Sequence, residues 1–418
     1  MPRRTVYAAF AAFGGLWGAW GASLPAIRDQ AGLTDGELGT ALLFVGAGAV
    51  PAMLVAGRAL DRRPHRTTAV LLAVLGAVGV LAAVAGRGVG SLAFVLALLG
   101  AASGAADVAI NTAAGTAQRE HGGAVITRAH ASFSAGVVVA SLLTGAARAA
   151  DLPVVAPFAA VAIAMIAVAA RFAALPDGRA PSRARRPCES RDAGREPRGA
   201  RRVVAGARRE TNGSRREAAG ARRERSLRGS GVALRTLLAI GGLGALAFAV
   251  ENAHESWSAL YLRDAIGAGP ATAAAGPAIF AAVVAVTRFS AGAASSVRPV
   301  WLISAGALVA AGGTALVAAA SALGPALAGL ALAAAGTAVL FPALLLILTD
   351  RVPDHVRGSA TSAVTAVAYT GFLGGPAYVG AWADATSLSA AMLAVAALAV
   401  VLALLTPVLA RQPVPSRA

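Results

Sequence analysis

The chain has 418 residues, 57% of them hydrophobic and only 14% charged, with a mean hydropathy of +0.67. A soluble protein of this length carries about a quarter charged residues, so a water-soluble globular domain is excluded. The formal charge is +17 with no lysine, the arginine and alanine bias of a GC-rich genome and in keeping with a bacterial source. The single cysteine, Cys188, excludes a disulfide framework.

Twelve apolar, Gly- and Ala-rich runs alternate with short charged breaks. Each is long enough, at about 20 residues, to cross a hydrocarbon layer about 30 Å thick. The runs are continuous rather than alternating, so they predict helices, the form that satisfies its own backbone in lipid. They fall at 7–27, 38–56, 67–86, 91–113, 130–150, 153–172, 236–261, 270–288, 299–319, 325–348, 359–380 and 388–410. Arginines crowd alternate breaks: Arg3, Arg4, Arg58, Arg62, Arg63, Arg66, Arg119, Arg128, Arg298, Arg351, Arg357, Arg411 and Arg417 on one side, against Arg28, Arg87, Arg148 and Arg263 on the other. The positive-inside bias then predicts both termini in the cytoplasm. Charge laid out this way also argues against nucleic acid as the partner. The Met1–Arg4 start resembles a signal peptide, but eleven further spans make a retained first helix the expectation.

Residues 173–233 break the pattern, being rich in Arg, Gly, Glu, Ser and Pro. Such a stretch buries too little apolar surface to fold alone and is expected to be a disordered cytoplasmic linker. It divides the chain into an N-terminal six-helix bundle, 1–172, and a C-terminal one, 234–418. Beyond tethering, anionic lipid is the contact its arginines suggest. The halves look related: Trp20-Gly-Ala-Ser-Leu-Pro-Ala-Ile-Arg28-Asp29 matches Trp257-Ser-Ala-Leu-Tyr-Leu-Arg263-Asp264 in position and ending. A duplicated transporter with its substrate site at the midplane between the halves is the implied design.

The break after the second span reads Gly57-Arg-Ala-Leu-Asp61-Arg62-Arg63-Pro64-His65-Arg66. A small residue at a helix end and an acid among arginines suit a latch that releases when the halves rock. The pattern Gly57, Asp61, Arg66 resembles the signature loop of the major facilitator superfamily, with Pro64 in place of its second Gly. The corresponding break in the second half, Arg288-Phe-Ser-Ala-Gly292-Ala293, keeps Arg and Gly without the acid. Longer pieces resemble the fucose-permease-like branch of uncharacterised bacterial inner-membrane transporters: Trp20 to Gly39, Asp107-Val-Ala-Ile-Asn111, Glu251 to Leu262, and Gly371-Phe-Leu-Gly-Gly-Pro376 with Gly380. That branch usually has Gly and Asp where this chain has Asn252 and Ser256. The resemblance implies an all-α fold of twelve transmembrane helices in two pseudo-symmetric bundles, working as a monomer in the cytoplasmic membrane.

Charge inside a span is costly, about 2.5–3.5 kcal/mol at helix centre on insertion scales, and so marks function. Glu251, His254 and Glu255 sit at i, i+3 and i+4 and share a helix face, with Asn252 and Trp257 beside them. Glu251 is the expected proton or cation coupling group, with His254 and Glu255 nearer the outer mouth. Asp107 and Asn111 form a second i, i+4 pair. Arg288 is expected to snorkel to the interface. Trp17, Trp257 and Tyr369 are either interfacial anchors or rings lining a pocket, while His130, Ser132 and Ser134 read as helix-end polar residues. Gly371, Gly375 and Pro376 are expected to act as a hinge or tight seam.

No Gly-x-x-x-x-Gly-Lys loop, Cys/His cluster or nucleophile set is present. ATP drive, a metal, a cofactor and enzymatic activity are therefore not expected. The reading is a secondary active transporter that moves a small polar or amphipathic solute by alternating access, driven by a proton or other ion gradient. The alternatives are a drug or metabolite exporter of the same fold and a transport-inactive membrane sensor. The span-five Gly-Pro element and span-four arginine typical of proton-coupled exporters are absent.

Overall fold

The computed structural model describes residues 1–177, 234–291, 297–353 and 356–410. The expected linker lies outside the described residues apart from its first few, as do Cys188, Arg411 and Arg417. All regular structure among the described residues is helical: α1 (Arg3–Ala31), α2 (Asp35–Leu60), α3 (Pro64–Ala85), α4 (Val89–His121), α5 (Val125–Ala149) and α6 (Val155–Ala173), then α7 (Leu234–Asp264), α8 (Pro270–Ala273), α9 (Ala275–Ala291), α10 (Pro299–Ala319), α11 (Leu323–Ala338), α12 (Leu340–Arg351), α13 (Arg357–Ala385) and α14 (Leu388–Ala410). The expected eighth span is α8 with α9, and the tenth is α11 with α12.

Among the described residues ten stretches are long and apolar enough to cross a membrane, and α1 and α13 fall outside that set. Both run to 29 residues, about 43 Å at 1.5 Å per residue, so length is not what separates them. Gly, Ser, Thr and aromatic residues dilute their aliphatic content. A helix surrounded by other helices needs small residues for close contact more than it needs greasy ones for lipid. Helix α1 accordingly buries Phe10, Leu16, Trp20, Leu24 and Ile27 almost completely.

The ends of the helices define two ends of the molecule. At one, Arg3 donates to the His121 carbonyl at 2.7 Å, and the amide of His65 donates to Asp177 at 2.8 Å. This end carries Arg62, Arg66 and Arg128, and is called the basic end. At the other, the Gly88 amide donates to the Ala31 carbonyl and Asp29, Asp35, Asp264 and Asp384 gather. Two local signals fix the chain there. Helix α1 stops at Gly32, whose φ of 65° is left-handed, a conformation that favours glycine. Leu33 N–H then reaches back to the Arg28 carbonyl at 3.2 Å. Three residues on, Thr34 and Glu37 form a capping box at the start of α2: Thr34 Oγ1 accepts from Glu37 N–H at 3.2 Å and Glu37 Oε2 accepts from Thr34 N–H at 3.0 Å, satisfying two orphan amides at once.

Within the first six spans α1 packs on α5, α2 on α4 and α3 on α6; within the last six α7 packs on α13, α9 on α11 and α10 on α14. Between the two sets, α2 meets α13 and α5 meets α8 and α9. The α2–α13 seam is backbone against backbone. A Cβ on Gly39 would lie 2.8 Å from the Pro376 carbonyl oxygen. On the other side of α13, a Cβ on Gly371 would lie 1.7 Å from the Ala245 carbonyl of α7, and one on Gly375 would lie 2.8 Å from the Ala249 carbonyl. Pro376 is held inside the continuous α13.

Substitution along α13 tests this seam. Gly371→Val should lower the melting temperature and the folded yield, because overpacking costs about 1–3 kcal/mol. Gly374→Ala should be neutral, since nothing lies within 4 Å of the added methyl. A thermal melt of detergent-purified protein compares the two, and equal behaviour would contradict the close packing.

Candidate functional site

A cavity of about 700 Å³ lies where α1, α2, α4 and α5 face α7, α9 and α13. It stops at the level of Trp20, Gly21, Pro277 and Pro376, and reaches Ile126 in the first turn of α5 and Arg288 in the last turn of α9. It therefore extends toward the basic end and is closed toward the acidic one. Thr127, His130 and Ser134 recur at helical spacing on α5 and give that wall its polar stripe, while Phe280, Val284 and Arg288 do the same on α9.

The closure combines the glycine seam with an exchange of ion pairs. Arg28 of α1 sits 2.7 Å from Asp264 of α7, and Arg263 of α7 sits 2.5 Å from Asp29 of α1. The two matched sequence segments thus trade partners. Arg28 also pairs with Asp35, Arg263 with its neighbour Asp264, and Thr34 donates to Asp384 of α13 at 2.8 Å. Arg28 and Arg263 keep 16% and 24% of their side-chain surface, so the cluster is half-wet.

One turn of α7 separates two glutamates with different surroundings. Glu251 is buried and accepts from Arg288 of α9 at 2.7 Å. That same arginine donates to the Ala338 carbonyl at 3.3 Å, so it crosses the wall as a partner and does not snorkel free. Glu255 opens onto the cavity and makes no hydrogen bond or ion pair among the described residues. Asn252 lies between them, donating to the Phe372 carbonyl at 2.6 Å and accepting from Ser256 at 2.7 Å. This ties α7 to α13 at cavity level.

Other predicted site residues fall elsewhere. His254 is fully buried on the far side of α7, stacked 5.4 Å from Phe280, with Nδ1 donating to the Val250 carbonyl at 2.7 Å and Nε2 3.0 Å from Thr314. Trp257 is fully buried in the core. Neither borders the cavity. Asp107 does, and its Oδ1 accepts from Asn111 at 3.0 Å; Asn111 supports it from behind. Gly57 marks the end of α2 with open space around it. In the following loop Asp61 and Arg62 are exposed, and Arg66 lies 3.7 Å from Asp177 just after α6. Gly371, Gly375 and Pro376 form the seam described above, and Pro376 also borders the cavity.

Several wall residues carried a readable signal. Trp17 and Tyr369, for which a pocket wall is one of the two readings, border the cavity; His130 and Ser134, which read as helix-end polar residues, border it too. The α5 stripe of Thr127, His130 and Ser134 is a 3.6-period polar pattern in an apolar helix. The Glu251–Arg288 pair had no such signal, since 37 positions separate its members. Among the described residues no His, Cys, Asp and Glu group could hold a metal ion.

Comparison with known proteins places this geometry. The family model described as Major Facilitator Superfamily matches residues 5–324. A relative from Sinorhizobium fredii (strain NBRC 101917 / NGR234), described as the uncharacterized transporter y4wD, is 27% identical over 415 residues, 98% of each chain. Among solved structures, a mutant of the nucleoside transporter NupG superposes with TM-score 0.74 at 14% identity, covering 97% of this chain and 99% of that one. The inward open xylose transporter XylE from E. coli gives 0.68 at 12% identity, covering 99% and 96%. At these identities the structures share the fold.

The two glutamates should separate in a melting experiment. Glu251→Gln strands a guanidinium already half in the wall and should cost roughly 1–3 kcal/mol, seen as a lower melting temperature. Glu255→Gln removes no partner and should leave the melt unchanged. The reverse order would contradict the assigned pairing.

Proposed function

The chain belongs to the major facilitator superfamily and is a membrane transporter rather than an enzyme; on that premise we propose that it moves a small polar or amphipathic solute by proton-coupled alternating access. The carrying observation is a cavity bordered by both sets of six spans, sealed at the acidic end and reaching the basic end, with a carboxylate in its wall that makes no hydrogen bond or ion pair among the described residues. The arginine distribution supports a cytoplasmic basic end, with both termini on that side. The repeated helix pairings, α1–α5 with α7–α13 and α3–α6 with α10–α14, support two bundles, 1–172 and 234–418, that rock about the cavity.

In this reading the described state faces the cytoplasm, and the Arg28–Asp264 and Arg263–Asp29 exchange is the latch that holds the outer mouth shut. Its size suits the task. Half-wet ion pairs are worth about 0.2–1 kcal/mol each, so a pair of them biases a two-state equilibrium several-fold without locking it. The loop from Gly57 to Arg66, with Asp61 and Arg62, is the corresponding latch for the cytoplasmic mouth in the opposite state.

Glu255 is the coupling acid. Glu251 is held by Arg288 and serves to fix that arginine. The groups that face Glu255 are Glu251 on its own helix, Arg288 on α9, and across the cavity Asp107 on α4 and His130 on α5. Protonation of Glu255 removes a charge from the wall and lowers the cost of closing the cavity to water.

Proteoliposome flux under an imposed proton gradient tests the coupling: Glu255→Gln should lose gradient-driven accumulation, and full accumulation in that variant would overturn it. The latch is read separately. With Cys188 replaced by Ser and a cysteine at Ala281 in the cavity wall, an impermeant maleimide added from outside should label slowly. Combining Arg28→Ala with Arg263→Ala should speed labelling roughly tenfold, the effect of losing about 1.4 kcal/mol. No change would contradict the latch.

A further inference from the structure

The cavity wall carries an unbalanced charge. Two carboxylates, Asp107 and Glu255, and one guanidinium, Arg288, border the cavity, and Glu251 behind the wall pairs with that guanidinium at 2.7 Å. Asp107 from α4 and Glu255 from α7 remain, one from each side of the cavity. Asp107 receives only a neutral amide from Asn111. Glu255 receives no hydrogen bond or ion pair among the described residues, with Arg288 facing it from α9. His130 adds at most one positive charge, so with both acids ionised the wall is net negative.

Aromatic faces accompany the acids. Trp17, Phe133, Tyr369 and Phe372 border the same space. Tyr369 is 39% exposed there, with its ring 6.0 Å from that of Phe372 and 5.6 Å from that of Phe248. Ring faces attract a cation positioned within about 6 Å of the centroid. An anion would meet the like charge of Asp107 and Glu255. A neutral polyol would use the rings but leave two carboxylates unpaired in a largely apolar enclosure, which is costly.

We infer that the cavity takes a small organic cation, a protonated amine or quaternary onium with apolar substituents, gripped between Glu255 and Asp107 and packed on the tryptophan and tyrosine faces. This rests on the transporter reading and specifies its solute. A cavity of about 700 Å³ is of the size that encloses one drug-sized molecule. Because the cation and the proton need the same Glu255 carboxylate, each displaces the other: binding one monovalent cation releases one proton, and the charge of the wall is conserved. The transport mode is then proton-for-cation exchange.

The test uses the full chain in detergent and tetraethylammonium, ethidium and tetraphenylphosphonium as probes, with quenching of intrinsic tryptophan fluorescence as readout and ethidium followed by its own emission. At least one should bind saturably and more weakly as pH falls. Glu255→Gln should weaken binding by about tenfold or more, the scale of a lost charge-assisted contact, and abolish the pH dependence. Glu255→Asp should retain both. Asp107→Asn should weaken binding while the pH dependence persists. Uridine, D-xylose and benzoate should not displace the cation. The inference is overturned if none of the three binds a protein that melts cooperatively, if binding ignores both acid substitutions, or if the neutral or anionic probes compete. Proteoliposomes separate the two levels. Cation binding without flux would sink the transporter reading and leave the site standing. Proton-driven flux of a neutral solute without cation binding would do the reverse.

Discussion

Charge in a low-dielectric interior must be matched, and this requirement organises the protein. Arg288 in the last turn of α9 has one strong acceptor, Glu251, and taking it leaves the next acid along α7 facing an open cavity. Helix α7 therefore carries a held acid and an open one four positions apart. Between them Asn252 bonds to α13, the helix whose other face meets α2.

In the proposed cycle the closed end has to be a contact that is firm yet reversible. Between helices in lipid there is no hydrophobic gain from association, so close van der Waals approach and polar contacts do the holding. Gly39 against Pro376 supplies the approach. The crossed Arg28–Asp264 and Arg263–Asp29 pairs supply the polar part, placed where water screens them enough to let go. The same charges at mid-membrane would be too costly to separate.

The spans and their alternating direction were legible because twenty-residue apolar runs have few other uses. The Trp20–Asp29 and Trp257–Asp264 likeness was visible as well, but the trading of partners between the two segments was not, since pairing depends on how the helices cross. Thr34 and Glu37 spell a capping box in plain sequence, and it passed as family resemblance. Reading placed Glu251, His254 and Glu255 on one face. The structure distributes them among three surroundings, because 40° between successive four-residue steps is enough to turn one side chain to α9 and another to the cavity, while His254 turns to α10. Which acid is free depends on Arg288, a residue 37 positions away that sequence pattern assigned to the interface.

The central claim is that Glu255, and not its neighbour one turn earlier, exchanges a proton with the cavity. Difference infrared spectroscopy of the purified protein on acidification reads this directly through the carbonyl stretch of protonated carboxyl groups. The account predicts that a protonated-carboxyl band present in the unaltered chain is lost in Glu255→Gln and retained in Glu251→Gln. A band that survives in Glu255→Gln and vanishes in Glu251→Gln would contradict it.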